Sequence, residues 1–421
     1  MRSIRTIEIE GFWGDRDCYI EMFPDVNFFI GQNGCGKTTI LNIVAAALQV
    51  RTKNLLQLPF KKIKITFQDT KTRKIPSIFV EKRNDDKFPF EIIVYTIRNS
   101  ASDKEGISFE LIGESSNYFH LRHSEIFNMS EEKNNVSDCV QKIISSSWLS
   151  VQRSSSSIPP HRDERIYEYS VDRKLEEITN MLVRFFSEME KRASDETKIF
   201  QQEIFLSLLH DATEKSMLGK FFKLDLENEE KSLTDIFKKF NLKSDDYLNK
   251  TNEFYNYVTQ VQKTKNSIDF LSVSRILNCM RVHYIVEKWN DLNEKHANIF
   301  KIRDVFLDTI NNMYCLKNLK VNDKNEIFVI SDKNEILNLS DLSSGEKQLL
   351  ILLGEALLQR KENWVYIADE PELSLHVSWQ EVLVENIRKI NPQGQILIAT
   401  HSPDIVGSFS SNIHKIENCF L

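Results

Sequence analysis

Hydrophobic and polar positions alternate from the first residues. Ile4-Arg5-Thr6-Ile7-Glu8-Ile9-Glu10 reads as a strand with one buried face. Residues 19–23 and 26–30 follow as two short strands, and the second runs straight into a glycine-rich turn. The Leu- and Ala-rich stretch 38–50 predicts the helix after that turn. Short β-like runs at 63–67, 78–80 and 92–97 predict an antiparallel sheet within residues 61–112. Residues 154–160 form a Ser/Pro break. From 171 to 319 helical periodicity dominates, with almost no Gly or Pro. Leu175, Ile178, Leu182, Phe185 and Met189 step by three and four, which places them on one helix face. Two heptads fall short of the three or four that argue a coiled coil, so packed helical hairpins are expected. Strand patterns return at 327–330 and 336–339. A helix (345–360), an apolar strand (364–368), a second helix (375–390) and another apolar strand (395–400) complete the series. Non-alternating strands joined by helices predict a parallel α/β sheet. The expected division is an N-terminal lobe (1–160), a helical insertion (161–322) and a C-terminal lobe (323–421).

Composition adds limits rather than direction. Of 421 residues, 41% are hydrophobic and 28% charged, ordinary for a globular chain. The net charge of −6 argues against a uniformly basic nucleic-acid binder, though a local basic patch stays compatible with it. The six cysteines (Cys18, Cys35, Cys139, Cys279, Cys315, Cys419) form no CxxC and no zinc-ligand spacing, and read as reduced thiols. Residues 1–14 lack the apolar core of a signal peptide, and no run approaches the ~18 apolar residues of a membrane span. A soluble, cytoplasmic protein with no membrane partner is expected.

Three motifs carry chemistry. Gly31-Gln32-Asn33-Gly34-Cys35-Gly36-Lys37-Thr38 fits GxxxxGK[ST] with a strand before and a helix after, the context a phosphate loop needs. Its glycines let backbone N–H groups wrap a phosphate at a helix N-terminus. Lys37 would reach the β- and γ-phosphates of ATP, and Thr38 would ligate Mg²⁺. Val365-Tyr366-Ile367-Ala368-Asp369-Glu370 is an apolar strand ending in two acids, where open α/β sheets bind ligands. Asp369 suits Mg²⁺, and Glu370 suits polarising an attacking water. Ser343 followed by Glu346 is a capping box that opens a helix.

Leu342-Ser343-Ser344-Gly345-Glu346-Lys347-Gln348 resembles the signature motif of ABC-type ATPases. Asp369-Glu370-Pro371-Glu372-Leu373-Ser374-Leu375-His376 resembles their Walker B and D-loop, and Ala399-Thr400-His401-Ser402-Pro403 their switch histidine. The wide separation of Lys37 and Glu370, with helical sequence between, is similar to the SMC/RecF/OLD branch rather than to transporters. Within that branch, Gly11-Phe12-Trp13-Gly14 and the short stretch after His401 resemble standalone ATPases of anti-phage systems such as Septu and PARIS. The resemblance covers roughly residues 1–113 and 324–400; the helical middle matches only in kind. It implies a P-loop ABC-ATPase head, with a parallel core sheet, an antiparallel sheet and an inserted helical segment.

Carried over by motif, the resemblance implies that Asn33, Gly34, Cys35, Gly36, Lys37, Thr38 and Thr39 hold ATP, with Glu370, His401 and Lys37 catalytic. His401 would sense the γ-phosphate, while Ser343 and Gly345 would contact the ATP of a second subunit. Ser344 stands where many signatures have Gly. Gln152, at the end of a short apolar run, is either a strand-end residue or the Q-loop ligand of ATP and Mg²⁺, alongside Thr38 and Asp369. Trp13 can stack on adenine or pack in the core. His161, His210 and His376 stand singly, without a ligand set.

The function expected is an ATP-driven switch working as a head-to-tail dimer or larger homo-oligomer, in anti-phage defence with a separate nuclease or effector. The alternative is a RecF/SMC-like DNA-repair ATPase that binds DNA. The long helical insertion disfavours a transporter subunit. Only residues 402–421 follow His401, too few for a nuclease domain of the OLD type, so any nuclease is expected on another polypeptide.

Overall fold

The computed structural model describes residues 2–84, 91–103, 105–112, 123–150, 163–207, 220–263, 270–359 and 363–420. The alternating N-terminal pattern becomes β1 (Arg2–Phe12), and β2 (Arg16–Glu21) folds back on it. With β4 (Lys62–Asp69), β5 (Ser77–Asn84), β6 (Glu91–Arg98) and β7 (Ile107–Ile112) they form a six-stranded antiparallel sheet in the order β2-β1-β4-β5-β6-β7. Every second residue of β4 from Ile63 to Asp69 is buried, the signature of a sheet with one covered face. That face packs toward α1 (Lys37–Leu48), where the buried Tyr95 hydroxyl donates to the Ala47 carbonyl.

β3 (Val26–Ile30), β8 (Ser145–Ser150), β12 (Trp364–Asp369), β13 (Gln395–Ala399) and β14 (Ile413–Lys415) build the second sheet, parallel throughout and ordered β14-β3-β13-β12-β8. β13 is buried along its whole length, as a strand covered on both faces should be. Register sets the site: Asp369 lies opposite Ala399, and Ala399 lies opposite Phe29. The carboxyl ends of β3, β12 and β13 are therefore level, and the phosphate loop, Glu370 and His401 leave the sheet at one edge. Two further helices, α2 (Thr52–Gln57) and α3 (His123–Ile143), belong to this half.

α4 (Asp163–Ser207), α5 (Leu226–Lys239), α6 (Ser244–Lys263) and α7 (Phe270–Met313) supply the helical middle. A small sheet of β9 (Lys317–Val321), β10 (Ile327–Ser331) and β11 (Ile336–Leu337) follows. Then come α8 (Ser344–Leu358), α9 (Val377–Ile390) and the short α10 (Pro403–Val406). Two compact units result. One comprises Met1–Arg184 with Val305–Leu421, the other Phe185–Asp304. Inside the second unit α4 and α7 run antiparallel, joined by the pairs Glu196–Lys295 and Glu203–Lys288, while α5, α6 and α7 enclose Phe221, Tyr255 and Ile276.

Several expected bounds move. The strand expected at 19–23 occupies Arg16–Glu21, because the Asn27 side chain bonds both the N–H and the carbonyl of Phe23 and closes a turn there. Helix ends at Met313, and residue 319, expected to be helical, lies in β9. On α4 Phe186, not Phe185, is fully buried, since a step of four from Leu182 keeps the stripe on one face. The helix expected from 375 starts at Val377, with His376 as its cap. The break at 154–160 lies outside the described residues.

Candidate nucleotide site

The phosphate loop is formed by backbone conformations that favour glycine. Gly34 and Gly36 have φ of 81° and 106°, in the left-handed region. A Cβ at Gly36 would also lie 2.8 Å from Phe12 Cζ. Gly36 caps α1, whose ladder begins with Ile40 N–H donating to the Gly36 carbonyl at 2.9 Å. No side chain caps this end and its first turn holds no acid, so the amides at Lys37, Thr38 and Thr39 face outward with the positive end of the helix field. That suits a polyphosphate. Asn33 and Gly34 are exposed at the tip, while Cys35, Thr38 and Thr39 are half-buried. Lys37 is buried, and its ammonium donates to the carbonyls of Gly31 (2.9 Å) and Gln32 (3.2 Å).

Asp369, at the end of β12, is fully buried. Its Oδ1 accepts from the Thr38 hydroxyl at 2.9 Å, and Oδ2 is buried without a hydrogen bond. Burial pushes the carboxyl up to about 6, with the nearby Glu370 and Glu372 adding to the rise. A buried carboxylate with one unengaged oxygen beside a hydroxyl is a hard-oxygen donor pair, and it fits Mg²⁺ chemically.

Glu370 takes a left-handed backbone (φ 48°), and its N–H donates to the Ala399 carbonyl at 2.8 Å. This turns the side chain toward the loop after β13, where Glu370 Oε1 and His401 Nε2 are 3.8 Å apart. Glu372 holds that loop. Its Oε1 accepts from the Thr400 hydroxyl, from His401 N–H at 3.0 Å and from Ser402 N–H at 3.3 Å. Sequence reasoning gave Glu372 no role, although an acid two residues beyond Glu370 was the available signal.

At the signature, Ser343 and Glu346 form the reciprocal capping box of α8. Glu346 also pairs with Lys317 at 2.8 Å, and the Tyr314 hydroxyl donates to its carbonyl. Gly345 is required by contact: a Cβ there would sit 2.5 Å from the Ser374 carbonyl oxygen. The structure therefore brings Lys37, Thr38, Asp369, Glu370 and His401 to one edge of the sheet. Gly345 instead meets the turn at Ser374, and Ser343 caps α8 beside it. Gln152, His161 and His210 lie outside the described residues. His376 caps α9 through its ring nitrogen, accepting from Ser378 N–H. Trp13 is 42% exposed, and its ring lies against Gly36. Among the described residues no helix is long and apolar enough to cross a membrane.

A phosphate loop after β3 of the parallel sheet, an acidic strand end beside it and a capped signature helix define a P-loop ATPase of the ABC type. The chain matches the AAA ATPase domain family over residues 3–406 and belongs to that family. It is similar to a protein described as the Retron Vc95 probable ATPase of Vibrio cholerae serotype O1 biovar El Tor. The two are 24% identical over 414 residues, which span 94% of this chain and 69% of that protein. Among solved structures it is similar to an Smc head domain with an extended coiled coil bound to the C-terminal domain of ScpA, from Pyrococcus furiosus. Identity is 14% and the TM-score 0.41, covering 96% of this chain and 91% of that one. An Smc head domain with a coiled coil and joint from Pyrococcus yayanosii gives the same identity and TM-score, covering 96% and 93%. Likenesses of that size carry no weight for the site.

Proposed function

We propose that this chain is an Mg²⁺-dependent ATPase that acts as a switch, with two copies enclosing nucleotide between the phosphate loop of one and the signature helix of the other. The observation that carries this reading is Asp369: a buried carboxylate, bonded to the phosphate-loop threonine by one oxygen and unengaged at the other. Thr38 and Asp369 would hold Mg²⁺, with Gln152 as a third candidate. A cation bound there neutralises charge on the β- and γ-phosphates. Lys37 and the open amides of α1 bind and orient the phosphates. Glu370 accepts a proton from the attacking water, and His401 beside it stands at the γ-phosphate end. Ser343 and Gly345 present a second helix N-terminus to a partner copy's nucleotide, where it offsets charge that Lys37 leaves uncovered. Trp13, exposed beside Gly36, offers a face to adenine.

The setting we favour is cytoplasmic anti-phage defence, with a separate nuclease or effector that ATP binding or hydrolysis holds or releases. The likeness to a retron's probable ATPase supports looking there. Direct DNA binding is a weaker reading. On the outer face of the antiparallel sheet Lys62, Lys64 and Arg83 are paired with Glu8, Glu10 and Glu81, so these three cations are already neutralised. Steady-state turnover and nucleotide affinity of two variants test the chemistry. Glu370→Gln should bind ATP as the wild type does and lose nearly all hydrolysis, whereas Lys37→Ala should lose affinity. Full turnover in Glu370→Gln would remove the proposed base.

A further inference from the structure

We infer that Glu417 is a positioning residue of the phosphate loop, orienting the Gly31–Gln32 peptide so that the Gly31 carbonyl holds the Lys37 ammonium. The inference rests on the nucleotide-site reading and extends it to a residue that no phosphate-loop motif contains.

β14 pairs in parallel with β3, with Lys415 opposite Ile30, so both strands reach the same edge of the sheet together. β3 continues into the phosphate loop. β14 continues into a 3-10 turn, Ile416–Asn418, fixed by the fully buried Ile416. That turn lays Glu417 against the start of the loop, where its Oε1 accepts from Gln32 N–H at 2.8 Å. Gly31 permits the approach. A Cβ on Gly31 would lie 2.7 Å from Glu417 Oε1 and 2.7 Å from Cys35 Sγ.

The peptide plane transmits the contact. In a trans peptide the N–H and the preceding C=O point in opposite directions. Drawing Gln32 N–H toward Glu417 therefore turns the Gly31 carbonyl the other way, where it accepts from Lys37 Nζ at 2.9 Å. The peptide dipole lies with its positive end at the carboxylate and its negative end at the ammonium, so each contact favours the other. The Gln32 amide, chiefly, with Lys37 further off, holds the Glu417 carboxyl below its usual range. The segment beyond is tied as well: Tyr19 N–H donates to the Cys419 carbonyl at 2.9 Å, and the Phe420 ring lies 5.5 Å from that of Phe12, the residue packed under Gly36. Without Glu417 the Gly31–Gln32 peptide keeps only its bond from Lys37, and Lys37 has a less firmly fixed acceptor before any phosphate arrives.

ATP affinity and turnover of the full chain, for Glu417→Ala, Glu417→Gln, Lys37→Ala and the double variant, test this. Glu417→Ala should raise Kd and KM for ATP about 10-fold, the order expected for losing one charge-assisted hydrogen bond, and leave kcat within about 2-fold. Glu417→Gln keeps an accepting oxygen and should stay within about 3-fold of wild type. In the Lys37→Ala background the Glu417→Ala effect should nearly vanish, because Glu417 acts through Lys37. If Glu417→Ala does not fold, Glu417→Asp serves: it keeps the charge but withdraws it by one methylene, and it should raise Kd. Unchanged Kd in the Glu417 variants, with Lys37→Ala impaired, overturns this inference alone. An equal effect in both Lys37 backgrounds makes Glu417 merely structural and also overturns it. Failure of the wild type to bind ATP overturns the nucleotide-site reading and this inference together.

Discussion

Glu346 sets a measurable limit on how firmly the signature helix is held. Its carboxylate accepts from Ser343 N–H at 2.7 Å and from Lys317 Nζ at 2.8 Å, with the side chain only 9% exposed. Glu346→Ala removes both bonds and strands Ser343 N–H and the Lys317 ammonium. A hydrogen bond to a charged group contributes about 1.5–3 kcal/mol, so the loss should be about 3 kcal/mol. Glu346→Gln keeps an oxygen for Ser343 N–H and loses only the charge toward Lys317, a cost of about 1 kcal/mol. The carboxyl is lowered in the folded protein: burial opposes ionisation, but Lys317 and Ser343 outweigh it. A lowered folded value means that the contribution is fully present above the ordinary glutamate range and is lost as pH falls through the folded value. The gap between wild type and Glu346→Gln should therefore close as pH drops from 7 toward and below 4. Urea denaturation of the nucleotide-free protein at several pH values reads all three quantities. Equal stabilities for the Ala and Gln variants, or a gap that does not change with pH, would refute the assignment of the cap and the ion pair.

Two other expectations follow from the same region of the fold. Ser343→Arg should abolish turnover while leaving the ATP affinity of a single subunit nearly unchanged. Mixing it with Lys37→Ala should restore part of the activity, and absence of rescue after confirmed subunit exchange counts against a shared site. Gly354→Ala places a methyl 2.7 Å from Ile178 Cγ2, where α8 meets α4, and should cost about 1–3 kcal/mol by overpacking, read as a lowered denaturation midpoint.

The parallel core and the phosphate loop were legible because each rests on local pattern. Apolar runs such as 365–368 have one packing solution, and the left-handed backbone at Gly36 leaves a trace in residue type. β14 left almost none, and β8 only the short apolar run that begins at Trp148. Ser145, Ser146 and Ser147 carry no apolar pattern, and β14 is three residues long; both are strands because neighbours offer free edges, β12 to Ser145–Ser150 and β3 to Ile413–Lys415. Propensity cannot report an edge supplied by a strand hundreds of residues away. Glu372 and Glu417 were missed for the same reason. Apart from the Thr400 hydroxyl on Glu372, their partners are backbone amides, at His401, Ser402 and Gln32, and an amide has no sequence identity to search for.

The turn from Glu370 to Leu375 joins surfaces that the motifs name separately. At one end Glu370 lies 3.8 Å from His401, and Glu372 fixes the backbone of the loop that carries His401. At the other end Ser374, with φ of 71°, brings its carbonyl so close to the signature helix that Gly345 has no room for a methyl. The turn is stiffened by bonds from Leu373 N–H to Glu370 O and from Leu375 N–H to Glu372 O. A displacement of the His401 loop would thus pull on Glu372, move the Ser374 carbonyl and bear on the N-terminus of α8. If two copies enclose nucleotide as proposed, one turn would connect the Glu370–His401 end of its own site with the signature helix offered to the partner's.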